Sequence, residues 1–230
     1  MERKGSPAEQ RMQLVKSVVM RPPAAPPGTK FIYSNAGFAI AGTMAEKIAG
    51  RSWEQLMIEK VFGPLGITSG GFGAPGDAAT VSEPWGHRAN GSPVPPGPNA
   101  DNPPAIGPAG TAHMSIGDWA KFVAAHVCGD PLNPQRQNTL VTPEMYETLH
   151  RPIDNYAMGW AVAYRPWAKG SRETDRGLVL THAGSNTMWF CVAWLAPERD
   201  FAVIIATNQG GSQASKGADE AAGAVINKFK

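Results

Sequence analysis

The chain has 230 residues, 42% hydrophobic and 17% charged, which is enough for one large domain or two small ones. Its 21 basic and 19 acidic residues leave a net charge of +2, too balanced to suggest nucleic acid or an anionic membrane as a partner. Two cysteines, Cys128 and Cys191, are too few for a disulfide framework and read as free thiols.

No apolar run is long enough to span a bilayer, and the opening Met1-Glu2-Arg3-Lys4-Gly5-Ser6 is not followed by the apolar core of a signal peptide. The chain as written is therefore expected to stay in the cytoplasm.

Residues 8–20 read as a helix stopped by Pro22-Pro23, followed by an extended Pro-rich approach up to Pro27. Beyond Asn35 the apolar residues Phe38, Ala41, Ala45 and Ile48 recur at helical spacing, and Gly50 is placed to end the run. Ser52-Trp53-Glu54-Gln55 is a capping box opening a helix through Val61, ended by Pro64-Leu65-Gly66. Residues 70–110 are loop-rich, with seven prolines between Gly91 and Ala109. Ser115 caps a helix reaching about His126, and Thr142-Pro143-Glu144 starts another that ends near His150.

The pattern changes near residue 155. Tyr156–Tyr164 reads as a strand, and so do Leu178–Thr181, Met188–Leu195 and Phe201–Thr207, with Pro197 and Asp200 turning the last pair. From Ala218 the tail is an amphipathic helix. The expected organisation is a mostly helical region over 1–152, and over 153–230 an antiparallel sheet with a covering C-terminal helix. Both belong to one α/β (α+β) domain.

Two motifs carry candidate chemistry. The first is Tyr33-Ser34-Asn35 and the second is His182-Ala183-Gly184-Ser185. Taken alone, Tyr33 and Asn35 would be a turn and a helix N-cap, and His182 a strand-end residue. The other histidines, His87, His113, His126 and His150, show no metal-ligand spacing, and surface or loop positions are expected for them, with no metal and no cofactor. Gly210-Gly211-Ser212 imitates a nucleophile elbow, but no histidine follows Ser212 to complete a triad.

The two motifs, their order and their flanks resemble the serine β-lactamase and penicillin-binding protein superfamily, on the class C, D-aminopeptidase and family VIII carboxylesterase side. The resemblance runs through Pro27-Gly28, Pro64-Leu65-Gly66-Ile67, Gly110, Gly159-Trp160 and Pro197 to Asn208. It implies a β-lactamase/transpeptidase-like fold. It also implies that Tyr33 is a base or proton relay and that Asn35, with Ser34 and Gly184, lines the substrate site. His182 would stand where many relatives have lysine, and the Ser185 backbone N–H would be an oxyanion donor.

The superfamily's remaining motif, a serine three residues before a lysine, occurs nowhere in the 230 residues. A tyrosine hydroxyl is a poor base at its free pKa of about 10 and needs nearby positive charge, which the missing lysine would help supply.

Three readings follow. One is a truncated hydrolase acting weakly on ester, amide or β-lactam carbonyls. Another is a pseudoenzyme that binds β-lactams or acyl-peptides. A third is the C-terminal fragment of a longer serine hydrolase. Tyr33, Asn35, His182 and Ser185 are expected to line one pocket. The Phe201–Thr207 strand is expected to present an unpaired edge to a second copy or a complementing partner.

Overall fold

The computed structural model describes residues 4–80, 82–128 and 140–229. Met1–Arg3, the front of the segment read as lacking a leader's apolar core, lie outside them. The chain divides into two compact units, Met1–Gly86 with Pro93–Ser115, and His87–Ser92 with Ile116–Lys230.

Unit 1 begins with α1 (Pro7–Val19), closed at its start by a capping box between Ser6 and Glu9. The second helix, α2, spans Asn35–Ala49 and ends where Gly50 takes a left-handed conformation at φ 66°. Next comes α3 (Trp53–Met57), with the capping box expected at Ser52 and Gln55. The helix does not run on regularly to Val61. It widens into a π-turn over Ile58–Phe62 and then tightens into α4 (Gly63–Leu65), which Gly66 stops.

The Pro-rich stretch is interrupted by short elements. These are β1 (Gly71–Phe72), β2 (Gly86–His87), β3 (Pro93–Val94), a 3₁₀ turn at Pro104–Ile106, α5 (Gly107–Gly110) and β4 (Ala112–His113). Strands β1 and β4 pair antiparallel. Close packing of α2 on α5 needs a glycine, since a Cβ at Gly42 would lie 2.3 Å from Pro108.

A buried cation organises this unit. Arg11 is 0% exposed. Its guanidinium donates to both Glu54 carboxylate oxygens at 2.8 and 3.0 Å, to Glu46 at 3.1 Å and to the Pro104 carbonyl at 3.0 Å. One arginine thus ties α1 to α2, to α3 and to the 3₁₀ turn, with every contact charge-assisted or directed at a carbonyl.

Unit 2 contains α6 (Ile116–Cys128), α7 (Pro143–His150, capped by Thr142) and a five-stranded antiparallel sheet. The strands are β5 (Tyr156–Ala157), β6 (Trp160–Tyr164), β7 (Leu178–Ser185), β8 (Phe190–Ala196) and β9 (Phe201–Thr207), in that spatial order. Helix α8 (Ser212–Phe229) packs on β8 and β9.

Period-2 alternation sends side chains to two cores. Leu180, Val162, Ala193 and Leu195 meet Val123 and Val127 of α6 on one face. On the other face, Val203 meets Ala222 and Ile226 of α8.

Four sequence expectations need correction here. Tyr156–Tyr164 is two strands, because Met158 (φ 30°) and Gly159 (φ 110°) make a two-residue turn. The third strand does not stop at Thr181 but continues to Ser185, so the histidine motif lies inside β7. The strand read from Met188 runs over Phe190–Ala196. The tail helix starts at Ser212, six residues before its apolar stripe, because Ser212–Gly217 holds a single small apolar side chain, Ala214, and so shows no apolar periodicity. Among the described residues, no helix is long and apolar enough to cross a membrane.

Candidate active site

In unit 1 the tyrosine motif forms the entry to α2. Ser34 is extended (φ −154°, ψ 115°) and its Oγ accepts the Gly37 N–H at 3.3 Å, making it the N-cap. The N-cap expected at Asn35 therefore falls one residue earlier, and Asn35 is the first residue of the helix. Tyr33 precedes the cap and is 51% exposed. A cap fixes the backbone on either side of it, so Tyr33 and Asn35 are held on a rigid corner while the Ser34 hydroxyl is occupied.

In unit 2 the histidine motif closes β7. His182 pairs with Ala193 of β8, Gly184 with Cys191, and Ser185 with Phe190. A side chain at Gly184 would crowd Cys191, with the added Cβ 3.1 Å from its Sγ. Burial pushes the Cys191 thiol up, so it packs as an inert group beneath the motif. Neither cysteine forms a disulfide.

The Ser185 hydroxyl donates to the Trp189 carbonyl at 2.9 Å and accepts the Thr187 N–H at 3.1 Å. Three positions apart on a strand, the His182 and Ser185 side chains leave opposite faces. The Ser185 hydroxyl therefore builds the β7–β8 turn, on the face opposite His182.

His182 has a partner that was not singled out from the sequence. Its Nε2 lies 3.2 Å from the Tyr156 hydroxyl, and the two rings meet edge-on with centroids 6.1 Å apart at 71°. Burial holds the His182 pKa below that of a free imidazole, opposed by a hydrogen bond with the Ala183 backbone. The ring is therefore neutral at pH 7. Tyr156 was legible only as a strand residue, and the register that carries it across β6 cannot be read along the chain.

The remaining histidines correct the surface and loop expectation. His126 (α6) and His150 (α7) touch, Nδ1 to Nε2 at 3.0 Å, and His126 is ringed by Phe122, Tyr146 and Trp160. Burial, then the neighbouring His150, lowers the His126 pKa to about 3. His113 bonds the Gly73 carbonyl at 2.7 Å, and His87 bonds the Asn208 carbonyl at 3.0 Å. Among the described residues no group of three or more His, Cys, Asp or Glu is placed to hold a metal ion. Ser212, the elbow candidate, is the first residue of α8.

With this geometry in view, the relatives can be placed. The model of the Beta-lactamase family matches residues 2–228, and the chain belongs to that family. It is 30% identical over 216 residues to the unguisins hydrolase ungD′ of Aspergillus campestris (strain IBT 28561), covering 89% of this chain and 38% of that protein. It is 29% identical over 189 residues to penicillin-binding protein 4 of Amycolatopsis lactamdurans, covering 80% and 49%. The fold is shared with the octameric penicillin-binding protein homologue from Pyrococcus abyssi, at a TM-score of 0.65 and 21% identity over 89% of this chain and 44% of that one. The chain thus spans half or less of the length of these relatives. The β-lactamase/transpeptidase-like fold expected from the two motifs is the fold observed, and the family includes hydrolases.

Proposed function

We propose that the chain is a weak, promiscuous hydrolase of activated carbonyls (esters, amides or β-lactams) of the β-lactamase and carboxylesterase kind. The residues assigned to this chemistry are Tyr33, Ser34 and Asn35 at the α2 corner, and His182, Gly184 and the Ser185 backbone at the end of β7. The observation that carries this reading is the state of His182. It is a neutral imidazole, desolvated and held by a hydrogen bond, within a motif whose glycine keeps the strand surface low.

Such a group can take up a proton near neutrality. The Ser185 N–H adds an oxyanion donor, and Asn35 a polar clamp. The absence of a Ser-x-x-Lys pair sets the rate. Loss of a pre-activated nucleophile costs orders of magnitude, while donors and positioning alone retain roughly a thousandfold over water. A second copy or a complementing chain would add a strand at β9, which ends the sheet with one neighbour only among the described strands.

The test is turnover of a chromogenic β-lactam and of a p-nitrophenyl ester. The Tyr33→Phe and His182→Ala variants should each lose about a hundredfold. Activity should fall as pH drops through the depressed His182 value, since the protonated ring can no longer accept. If both variants keep full turnover, the site is elsewhere. If the purified protein binds a β-lactam without turning it over, it is a pseudoenzyme.

A further inference from the structure

We infer that Tyr156 is a positioning residue for His182: its hydroxyl donates to Nε2 and fixes the imidazole in a single orientation, with the proton on Nδ1. This deepens the hydrolase reading and rests on it only where turnover is measured.

The backbone holding Tyr156 is tightly fixed. Its N–H donates to the Ile153 carbonyl at 3.2 Å and its carbonyl accepts the Ile153 N–H at 3.0 Å, while the Val162 N–H donates to the Asn155 carbonyl at 2.8 Å. The two-residue turn at Met158 and Gly159 then clamps β5 to β6. Along the cross-strand row, Tyr156 pairs with Ala161, and Ala161 pairs with Thr181, the neighbour of His182.

The direction of the hydrogen bond follows from the ring's chemistry. A neutral imidazole carries one proton, so one nitrogen donates and the other accepts. The ring atom facing the phenol is Nε2, so the tautomer in which Nε2 accepts carries its proton on Nδ1. Nε2 is then left with a lone pair, and the phenol, which carries its own proton near pH 7, donates to it. At rest the phenol occupies the Nε2 lone pair, so a reacting group must displace its O–H to hand Nε2 a proton, and until then the ring keeps one orientation in every molecule.

The experiment compares wild type, Tyr156→Phe and Tyr156→Ala by ¹⁵N NMR of His182 near pH 8, with steady-state kinetics alongside. Wild type should show a protonated Nδ1 and an unprotonated Nε2, the opposite of the tautomer favoured by a free histidine. Tyr156→Phe keeps the ring packing and loses only the hydroxyl, so it should show mixed tautomers and a kcat about tenfold lower at unchanged KM.

A purely packing role predicts that Tyr156→Phe matches wild type in both readouts while only Tyr156→Ala fails, and that result overturns the inference. A wild-type His182 protonated on Nε2 also overturns it. If no variant, wild type included, turns over substrate, the hydrolase reading falls, and the tautomer shift in Tyr156→Phe still decides the role of Tyr156.

Discussion

The two units are held together by different means. Unit 1 has helices, turns and a two-residue strand pair, and its centre is a buried guanidinium shared between two carboxylates and a carbonyl. Unit 2 has a five-stranded sheet with hydrocarbon on both faces, and its buried carboxylates, Asp118 and Asp175, pair locally with Lys121 and Arg172 three residues away. A sheet fixes register through its ladder and needs only apolar filling. A loop-rich unit with only a two-residue ladder has little register to fix it, so directional bonds from one arginine define where its helices and 3₁₀ turn sit. Buried charge of this kind contributes geometry more than net stability, because the attraction mostly offsets the desolvation.

The largest effect that would break this contrast is at Arg11. Arg11→Ala leaves Glu46 and Glu54 facing each other without their cation and should cost about 3–5 kcal/mol, read as a lowered urea midpoint. Arg11→Met, equally long but uncharged, should not rescue it. A cost below about 1 kcal/mol would show that unit 1 is held by its apolar contacts after all.

Acid should single out unit 2. His126 is neutral when folded, with its pKa lowered to about 3 from 6.5, and takes a proton once unfolded. Below about pH 6.5 the unfolded state therefore binds more protons. Stability is full above that value and falls as the pH drops towards 3, by about 1.4 kcal/mol per pH unit. Urea midpoints at about pH 7, 6 and 5 should show this slope, and His126→Phe should flatten it. The facing groups are His150 and Tyr146 of α7, with Phe122 of α6 and Trp160 of β6 as apolar walls. An unchanged slope in His126→Phe would move the acid sensitivity elsewhere.

The smallest effect sharpens the comparison at the candidate site. As the cap of α2, Ser34 should cost unit 1 about 1 kcal/mol when changed to alanine, with residual hydrolysis retained. Abolished turnover at unchanged stability would instead make Ser34 the reacting hydroxyl.

These features differ in how far they can be read along the chain. Local signals were legible: the Ser52 box, the Gly50 stop, the Thr142 cap and the β9 strand all lie where residue types put them. So were the two motifs, since each is contiguous. Signals that depend on pairing were not. Met158 adopts a positive φ that methionine rarely takes, so the β5–β6 turn left no mark but Gly159. Gly184 reads as a strand breaker until Cys191 is seen opposite it. The His126–His150 and His182–Tyr156 contacts join residues 24 and 26 positions apart, a separation that no periodicity encodes.

The order of the sheet also bears on how the chain reaches its fold. Every strand from β5 to β9 pairs with its neighbour in sequence, and three of the four connections are loops of two to four residues, with 165–177 the longer one. Arg11, by contrast, must find partners 35, 43 and 93 residues away. On a nascent or refolding chain the meander can assemble from neighbouring strands, with the β6–β7 step over residues 165–177 the longest closure. The guanidinium can engage all its partners only after three separate segments have converged. The bonds that define unit 1 are thus the last to form and the first to open, and they guard the native state against unfolding more than they hasten its arrival.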